Sequence, residues 1–298
     1  MNILPGRPKC IWDAKSLLGE CPIFDHRNST LYWVDIKGEM LFAYNPKHKT
    51  KNSWHVPDKL SALGLSNFHQ FVAVTANGFH HLQIEDDNQV RLIPLVNPEA
   101  DLPYHRFNDA KVDPMGGFWA GTMDDNEQDT TAGKWWRLSP NGEALLIDKN
   151  FHVPNGPAFD VDKSLVYFTD SAKQTIYRAD LCAGGKPQKK EVFLHFEKKH
   201  GFPDGMTIDK YGGLWVAFWD GYCIRRFDRS GHLVFEIRLP TPRVTSITLV
   251  AKSAFITTAS VGLTSLQLRD APFSGGLFEV SLNEDVSVKS FIFDTTKL

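Results

Sequence analysis

Short apolar runs rich in β-branched and aromatic residues recur along the chain behind polar turn signals, at 31–36, 71–75, 118–123, 165–170, 214–219 and 254–259. No stretch keeps an apolar period of about 3.6 residues over three helical turns, so these runs predict strands. The segments between them are strand-linking turns, among them Ser139-Pro-Asn-Gly142 and Asp209-Lys-Tyr-Gly-Gly213. The chain therefore reads as all-β. Its runs start 40 to 49 residues apart, and a period in the forties with several strands per unit is the signature of a β-propeller blade. Six units account for residues 1–298 as a single six-bladed β-propeller domain. Segments 9–13 and 276–293 also read as strands. Pairing of these N- and C-terminal strands within one blade would close the ring and remove the exposed edge of an open array.

Ten residues before the runs of the third, fourth and fifth units stand Asn108, Asn155 and Asp204, each followed five residues later by Asp113, Asp160 and Asp209. Glu20 with Asp25 fits the same frame in the first unit, Ser61 with Ser66 in the second, and Thr245, one residue looser, in the sixth. The first strand of a propeller blade lines the central channel, so these six polar positions are expected to form a ring about the axis. At roughly 3.3 Å per residue the aspartates lie about 16 Å further along, at the opposite face. They are expected to bond the backbone of tight turns.

The formal net charge is −2 and no Lys/Arg-rich run stands out, which argues against nucleic-acid or membrane-surface binding. Nowhere do about 18 apolar residues run together, and Pro5, Gly6, Arg7, Pro8 and Lys9 interrupt the start before an apolar leader develops. A cytoplasmic protein is expected, acting on a small molecule as a monomer or weak dimer. Four cysteines without a CxxC pair are expected to be reduced thiols. There is no HExxH, P-loop, GxGxxG or GxSxG segment, so those chemistries lack their prerequisites.

A ring bearing Glu20, Asn155 and Asp204 offers two carboxylates and an amide carbonyl, all hard oxygen donors, where unpaired negative charge is costly to desolvate. A divalent cation resolves that conflict, and three protein ligands of total charge −2 leave positions open for water and substrate. Without cysteine or histidine the set argues against structural zinc, and Ca²⁺, Mg²⁺, Mn²⁺, Fe²⁺ and catalytic Zn²⁺ all remain compatible with it. The bland alternative is a water-filled polar channel. The link between second and third strands lies on the same face as the entry of the first, so residues 124–131 are expected to overhang the mouth above Asn108.

The segments Leu18-Gly-Glu20-Cys-Pro22, Arg106-Phe-Asn108-Asp-Ala-Lys-Val-Asp-Pro114, Phe118-Trp-Ala-Gly-Thr-Met123, Pro154-Asn155-Gly156 and Pro203-Asp204-Gly205-Met206 resemble the senescence marker protein/regucalcin/gluconolactonase family. The resemblance implies one divalent ion, calcium among the candidates, held by Glu20, Asn155 and Asp204. It also implies substrate contacts from Arg106 and Asn108, and hydrolysis of aldonolactones such as glucono-, xylono- or arabinonolactone. Thr122-Met-Asp-Asp-Asn-Glu127 is more similar to bacterial sugar-acid lactonases, pentonolactonases included, than to animal regucalcins. Asn126 stands where regucalcin-like members carry a substrate-contacting glutamate, and Glu127 would fill that role through a one-residue shift. The expected mechanism has the metal polarising the carbonyl and activating water, with Asp204 as proton acceptor. Alternatives are a calcium-binding regulator of regucalcin type, an organophosphate-hydrolysing propeller, and a protein-recognition scaffold, whose Gly-His and Trp-Asp repeats are missing.

Overall fold

The computed structural model describes residues 3–68, 70–85 and 89–295. Its strands form six sheets in a ring, five wholly antiparallel and the second joined by one short parallel strand, a six-bladed β-propeller. From the axis outward, the first blade runs Gly19–Asp25, Thr30–Asp35, Met40–Asn45, Thr50–His55, and the second runs Ala62–Ser66, Phe71–Thr75, Gly78–Ile84, Val90–Val96. The third is His105–Val112, Phe118–Asp124, Gly133–Leu138, Ala144–Phe151, and the fourth Pro154–Asp160, Leu165–Asp170, Thr175–Leu181, Pro187–His195. The fifth is Phe202–Ile208, Leu214–Trp219, Cys223–Phe227, Leu233–Arg238. The sixth takes Val244–Val250, Ser253–Thr258 and Leu277–Ser281 from the end of the chain and Lys9–Trp12 from its start. Lys9–Trp12 pairs antiparallel with Leu277–Ser281, so the ring closes through its terminal strands. No described helix is long and apolar enough to cross a membrane.

Each inner strand packs on the next around the axis. Second strands fill the space between blades with large rings, and Trp33, Trp119, Trp215, Phe118 and Phe168 are fully buried there, with Trp135 of the third blade's third strand packed against Trp119 and Phe168. Burying one such side chain contributes about 1.5–3 kcal/mol, and edge-to-face contacts such as Trp119 on Phe159, centroids 5.7 Å apart, add to it.

Five of the six inner strands carry a break in register at the candidate ring position: Glu20/Ile23, Phe107/Ala110, Asn155/Ala158, Pro203/Met206 and Val244/Ser246. A bulge leaves a residue unpaired and re-aims side chains. Here it lets neighbouring residues of one strand serve the same channel, which strict alternation forbids. The second blade pairs straight through from Ala62 to Leu65.

At the other end of the channel, Asp113 accepts the amides of Met115 and Gly117 at 2.8 and 3.0 Å, and Asp209 those of Tyr211 and Gly213 at 2.9 Å each. Asp25 accepts the Arg27 amide at 2.9 Å. Asp160 departs from this pattern. The chain after it enters a one-turn 3₁₀ helix, Val161–Lys163, that presents no amide to its carboxylate. Asp160 instead binds Arg229 of the fifth blade at 2.6 and 2.9 Å.

Segment 276–293 is not one strand. Past Ser281 the polar run Asn283-Glu-Asp-Val-Ser287 breaks the alternation a ladder requires. The chain then passes beneath the ring, and Ile292–Phe293 pairs parallel with Ala62–Ser66. On the way Val288, Lys289, Ser290 and Phe291 line an 80 Å³ chamber in the lower channel together with Cys21, Asp109 and Lys111. All four cysteines are free.

Candidate active site

The upper mouth of the channel opens into a cavity of 370 Å³. Glu20, Asn155 and Asp204 all line it, together with Arg106, Asn108 and Glu127. Residues 20, 155 and 204 are thus brought to one place by the first, fourth and fifth blades. Ser61 and Thr245, from the same repeat frame, are not in the lining. Ser61 Oγ donates to the Phe107 carbonyl at 2.6 Å, and Thr245 Oγ1 to the Gly19 carbonyl at 2.5 Å. Those two hydroxyls stitch neighbouring inner strands together, so the repeat frame holds four cavity residues and two fasteners.

The Asn155 amide is fixed from both ends. Its Nδ2 donates to Ser171 Oγ at 2.8 Å, and its Oδ1 accepts Asn108 Nδ2 at 3.0 Å. One Oδ1 lone pair remains for a further partner. Asn108 Nδ2 also donates to the Pro154 carbonyl at 3.0 Å, while its Oδ1 accepts Arg106 Nη1 at 2.8 Å. Both Asn108 N–H groups are therefore engaged, and its free capacity is as an acceptor.

Glu20 and Asp204 are 5% and 6% exposed, and neither forms an ion pair with a described cation. Burial, then the Asp204 and Asp109 carboxylates, push the Glu20 carboxyl well above its ordinary range. Burial and then Asp109 do the same to Asp204. Two mutually repelling buried carboxylates beside an oriented amide oxygen fit a hard divalent cation, which would relieve both penalties. Among the described residues no three His, Cys, Asp or Glu side chains gather as a metal set. The third donor in this cavity is an amide.

Arg106 is held by Asp125, whose Oδ1 accepts Nε at 2.5 Å, while Nη1 also reaches the Phe107 carbonyl at 3.0 Å. Asp125 takes Lys59 Nζ on its other oxygen at 2.8 Å. Partial burial works against the anion, but these two cations hold the Asp125 carboxyl down at about 2. Arg106 Nη2 has no hydrogen-bond partner among the described residues. The loop after Asp124 does overhang the mouth: Asp124 accepts the amides of Asn126, Gln128 and Asp129 at 2.9, 3.0 and 3.0 Å. That turn carries Glu127 into the lining, at φ 53° and 3.9 Å from His152 Nε2.

A model of the SMP-30/gluconolactonase/LRE-like region matches residues 18–260. The chain belongs to the SMP-30/gluconolactonase family. A 6-deoxy-6-sulfogluconolactonase of Pseudomonas putida is 30% identical over 92% of this chain and 94% of its own length. A pentonolactonase of Haloferax volcanii is 29% identical over 83% of each. Among solved structures, a calcium-binding protein named regucalcin from Agrobacterium tumefaciens aligns with a TM-score of 0.88 at 25% identity, covering 95% and 96% of the two chains.

In this SMP-30/gluconolactonase-family protein, three residues beneath and beside the cavity escaped sequence reasoning: Asp125, Asp109 and Lys111. Asp109 follows Asn108, and alternation would send the two to opposite faces. The Phe107/Ala110 bulge turns both inward. Asp109 Oδ2 accepts the Gly156 amide at 2.9 Å, next to Asn155, and Oδ1 the Ala110 amide at 2.8 Å. Burial raises its carboxyl to about 6 against the opposing pull of Lys111 and these amides. Lys111 Nζ donates at 2.5 Å to the carbonyl of Met206, two residues beyond Asp204. Burial lowers the Lys111 ammonium, with Asp109 opposing, and what surface it keeps faces the lower chamber. The third blade thus grips the backbone beside two of the three candidate ligands.

Proposed function

We propose that this lactonase opens sugar lactones to the sugar acid with the help of one divalent cation held by Glu20, Asn155 and Asp204. The lactonase assignment rests on the family and on relatives named for that activity. The observation that carries the metal is the pair of buried, uncompensated carboxylates sharing one cavity with an oriented amide oxygen. The relatives' named substrates share a lactone ring and differ in what the carbon skeleton carries.

When bound, the cation would polarise the lactone carbonyl and stabilise the negative charge that develops on its oxygen. Asp204 has two carboxylate oxygens, so one is left to accept a proton from the attacking water. Water oxygen bonds to the carbonyl carbon, the ring C–O bond breaks, and the departing ring oxygen takes up a proton. The net products are a carboxylate and one released proton. Arg106, clamped by Asp125, offers Nη2 to a substrate hydroxyl or to the carbonyl. Asn108 accepts from a hydroxyl while aligning Arg106 with Asn155, and Glu127 offers a further acceptor at the rim. Fixing these donors and acceptors in advance lowers the entropic cost of orienting the lactone.

Acid release from glucono-, xylono- and arabinonolactone, followed at constant pH with and without chelator, tests this reading. Chelator-sensitive release on at least one of them is expected. Hydrolysis that persists unchanged after metal stripping would refute the metal's part, and no release from any of them would refute the reading.

A further inference from the structure

The cavity wall formed by the sixth and first blades, across the ring from Arg106 on the third, carries two cations that lactone hydrolysis does not employ, Arg243 and Lys37. Arg243 is built into place. Its guanidinium lies 4.6 Å over the Trp219 ring, and its Nε meets Asp220 at 3.2 Å. On the other side stands Gly262, where a Cβ would come within 2.6 Å of Nη1 and where φ is +70°. The side chain is 16% exposed, and neither Nη1 nor Nη2 has a hydrogen-bond partner among the described residues. A sandwiched guanidinium with both Nη donors open is preorganised for a planar or tetrahedral oxyanion.

Lys37 sits in the turn between Thr30–Asp35 and Met40–Asn45 of the adjacent first blade. The nearby acid cannot neutralise it, because the Asp35 carboxylate is taken up by the amides of Leu17, Leu18 and Gly38 at 2.8, 2.8 and 2.9 Å. Lys37 has no ion-pair partner among the described residues. Asp220 offsets part of the Arg243 charge and Glu20, also on the first blade, is buried at the candidate metal position, so the open charged groups of this wall are Lys37 and the two Arg243 Nη donors. The facing wall holds the hydroxyl-binding groups Arg106, Asn108 and Glu127.

We propose that Arg243 and Lys37 form a subsite for an anionic group on the substrate, and that the preferred lactone carries a sulfonate, phosphate or carboxylate on the carbon remote from the lactone carbonyl. A neutral hydroxyl needs no formal charge to be recognised, whereas an oxyanion gains two charge-assisted contacts here. This inference rests on the lactonase reading of the same cavity.

The test compares kcat/KM for 6-phosphoglucono-1,5-lactone with that for glucono-1,5-lactone on the metal-loaded enzyme, with 6-deoxy-6-sulfogluconolactone and a glucarolactone as arms that distinguish the kind of anion. At least one anionic lactone is expected to exceed the neutral one by about tenfold or more, the scale of one charged hydrogen bond. Arg243→Gln and Lys37→Met should each shrink that ratio severalfold, mainly through KM, and Arg243→Lys should retain part of it. Binding of 6-phosphogluconate against gluconate, measured by calorimetry, requires no turnover. Were neither lactone hydrolysed, discrimination between these acids that is lost in Arg243→Gln would uphold the subsite while the lactonase reading failed. Ratios near one for every anion, or ratios that both Arg243→Gln and Lys37→Met leave unmoved, overturn the subsite. Because Lys37 is an exposed turn residue with no ion-pair partner among the described residues, its variant keeps the test valid if Arg243→Gln fails to fold.

Discussion

Replacing Lys111 by Met keeps the length of the side chain and removes one buried positive charge. Three carboxylates, Glu20, Asp204 and Asp109, then face one another with no ammonium among them, and the Met206 carbonyl loses its donor at 2.5 Å. Lys111 makes no ion pair among the described residues, so what is lost is its longer-range attraction for Asp109 and one buried hydrogen bond to the Met206 carbonyl, together about 1–3 kcal/mol. With an unfolding entropy of about 2.1 cal/mol/K per residue, a chain of this length has roughly 0.6 kcal/mol/K, so the loss corresponds to a Tm lower by about 2–5 °C. The assay is thermal unfolding of metal-free protein near pH 8. The Asp109→Asn/Lys111→Met double variant removes both charges and keeps an oxygen for the Gly156 amide, so it should recover most of the loss. A Lys111→Met protein melting within about 1 °C of wild type, or a double variant no better than the single one, would refute the claim that this pair offsets charge under the cavity.

Asp125→Asn loosens Arg106 without touching the ring oxygens, so KM for the lactone should rise about tenfold, the scale of one charged hydrogen bond, with kcat changed less; steady-state kinetics reads the split. The Asp125 carboxyl sits at about 2 in the folded protein, below its unfolded value of about 3.9. Its contribution to stability is therefore fully present above the unfolded value and is lost as pH falls toward 2. The Tm gap between wild type and Asp125→Asn should accordingly hold constant from pH 8 to about 5 and close below about pH 4. Glu20→Gln removes one of two repelling buried carboxylates, so the metal-free variant should melt above wild type. The same variant should gain less from added divalent ion in the same melt. Asp204→Asn keeps a coordinating oxygen and loses the proton acceptor, while Asp204→Ala loses both. Metal affinity should fall in both and furthest in Ala, turnover should fall in both even at saturating metal, and full turnover in the metal-saturated Asn variant would eliminate the base assignment.

The propeller and its closing strands were legible because blades repeat: runs at a forty-odd-residue period and a polar residue at one frame position carry the architecture. The same frame pointed to Glu20, Asn155 and Asp204, which do share a cavity, but it could not separate them from Ser61 and Thr245. That distinction depends on which carbonyl each hydroxyl meets across a blade boundary. Asp109 and Lys111 were hidden by the bulge, since period-two alternation assigns neighbouring residues to opposite faces and a one-residue irregularity reverses that assignment. Asp125 lay in a segment recognised as an overhanging loop, yet its grip on Arg106 and Lys59 comes from the loop's conformation, set by the three amides that Asp124 gathers. The path of the last strand is hidden for a related reason: the polar residues after Ser281 forbid a long strand, and Phe293, fully buried, anchors the tail where it pairs with Ala62–Ser66.

The central claim is that residues 20, 155 and 204 together grip one divalent ion. Anomalous scattering from crystals grown with Mn²⁺ tests it most directly, because the peak locates the ion independently of activity. The account predicts one peak per chain in the upper cavity, about 2.0–2.6 Å from a Glu20 carboxylate oxygen, Asn155 Oδ1 and an Asp204 carboxylate oxygen. A cavity without a peak at saturating Mn²⁺, or a peak bound elsewhere while lactone hydrolysis remains metal-dependent, would contradict it.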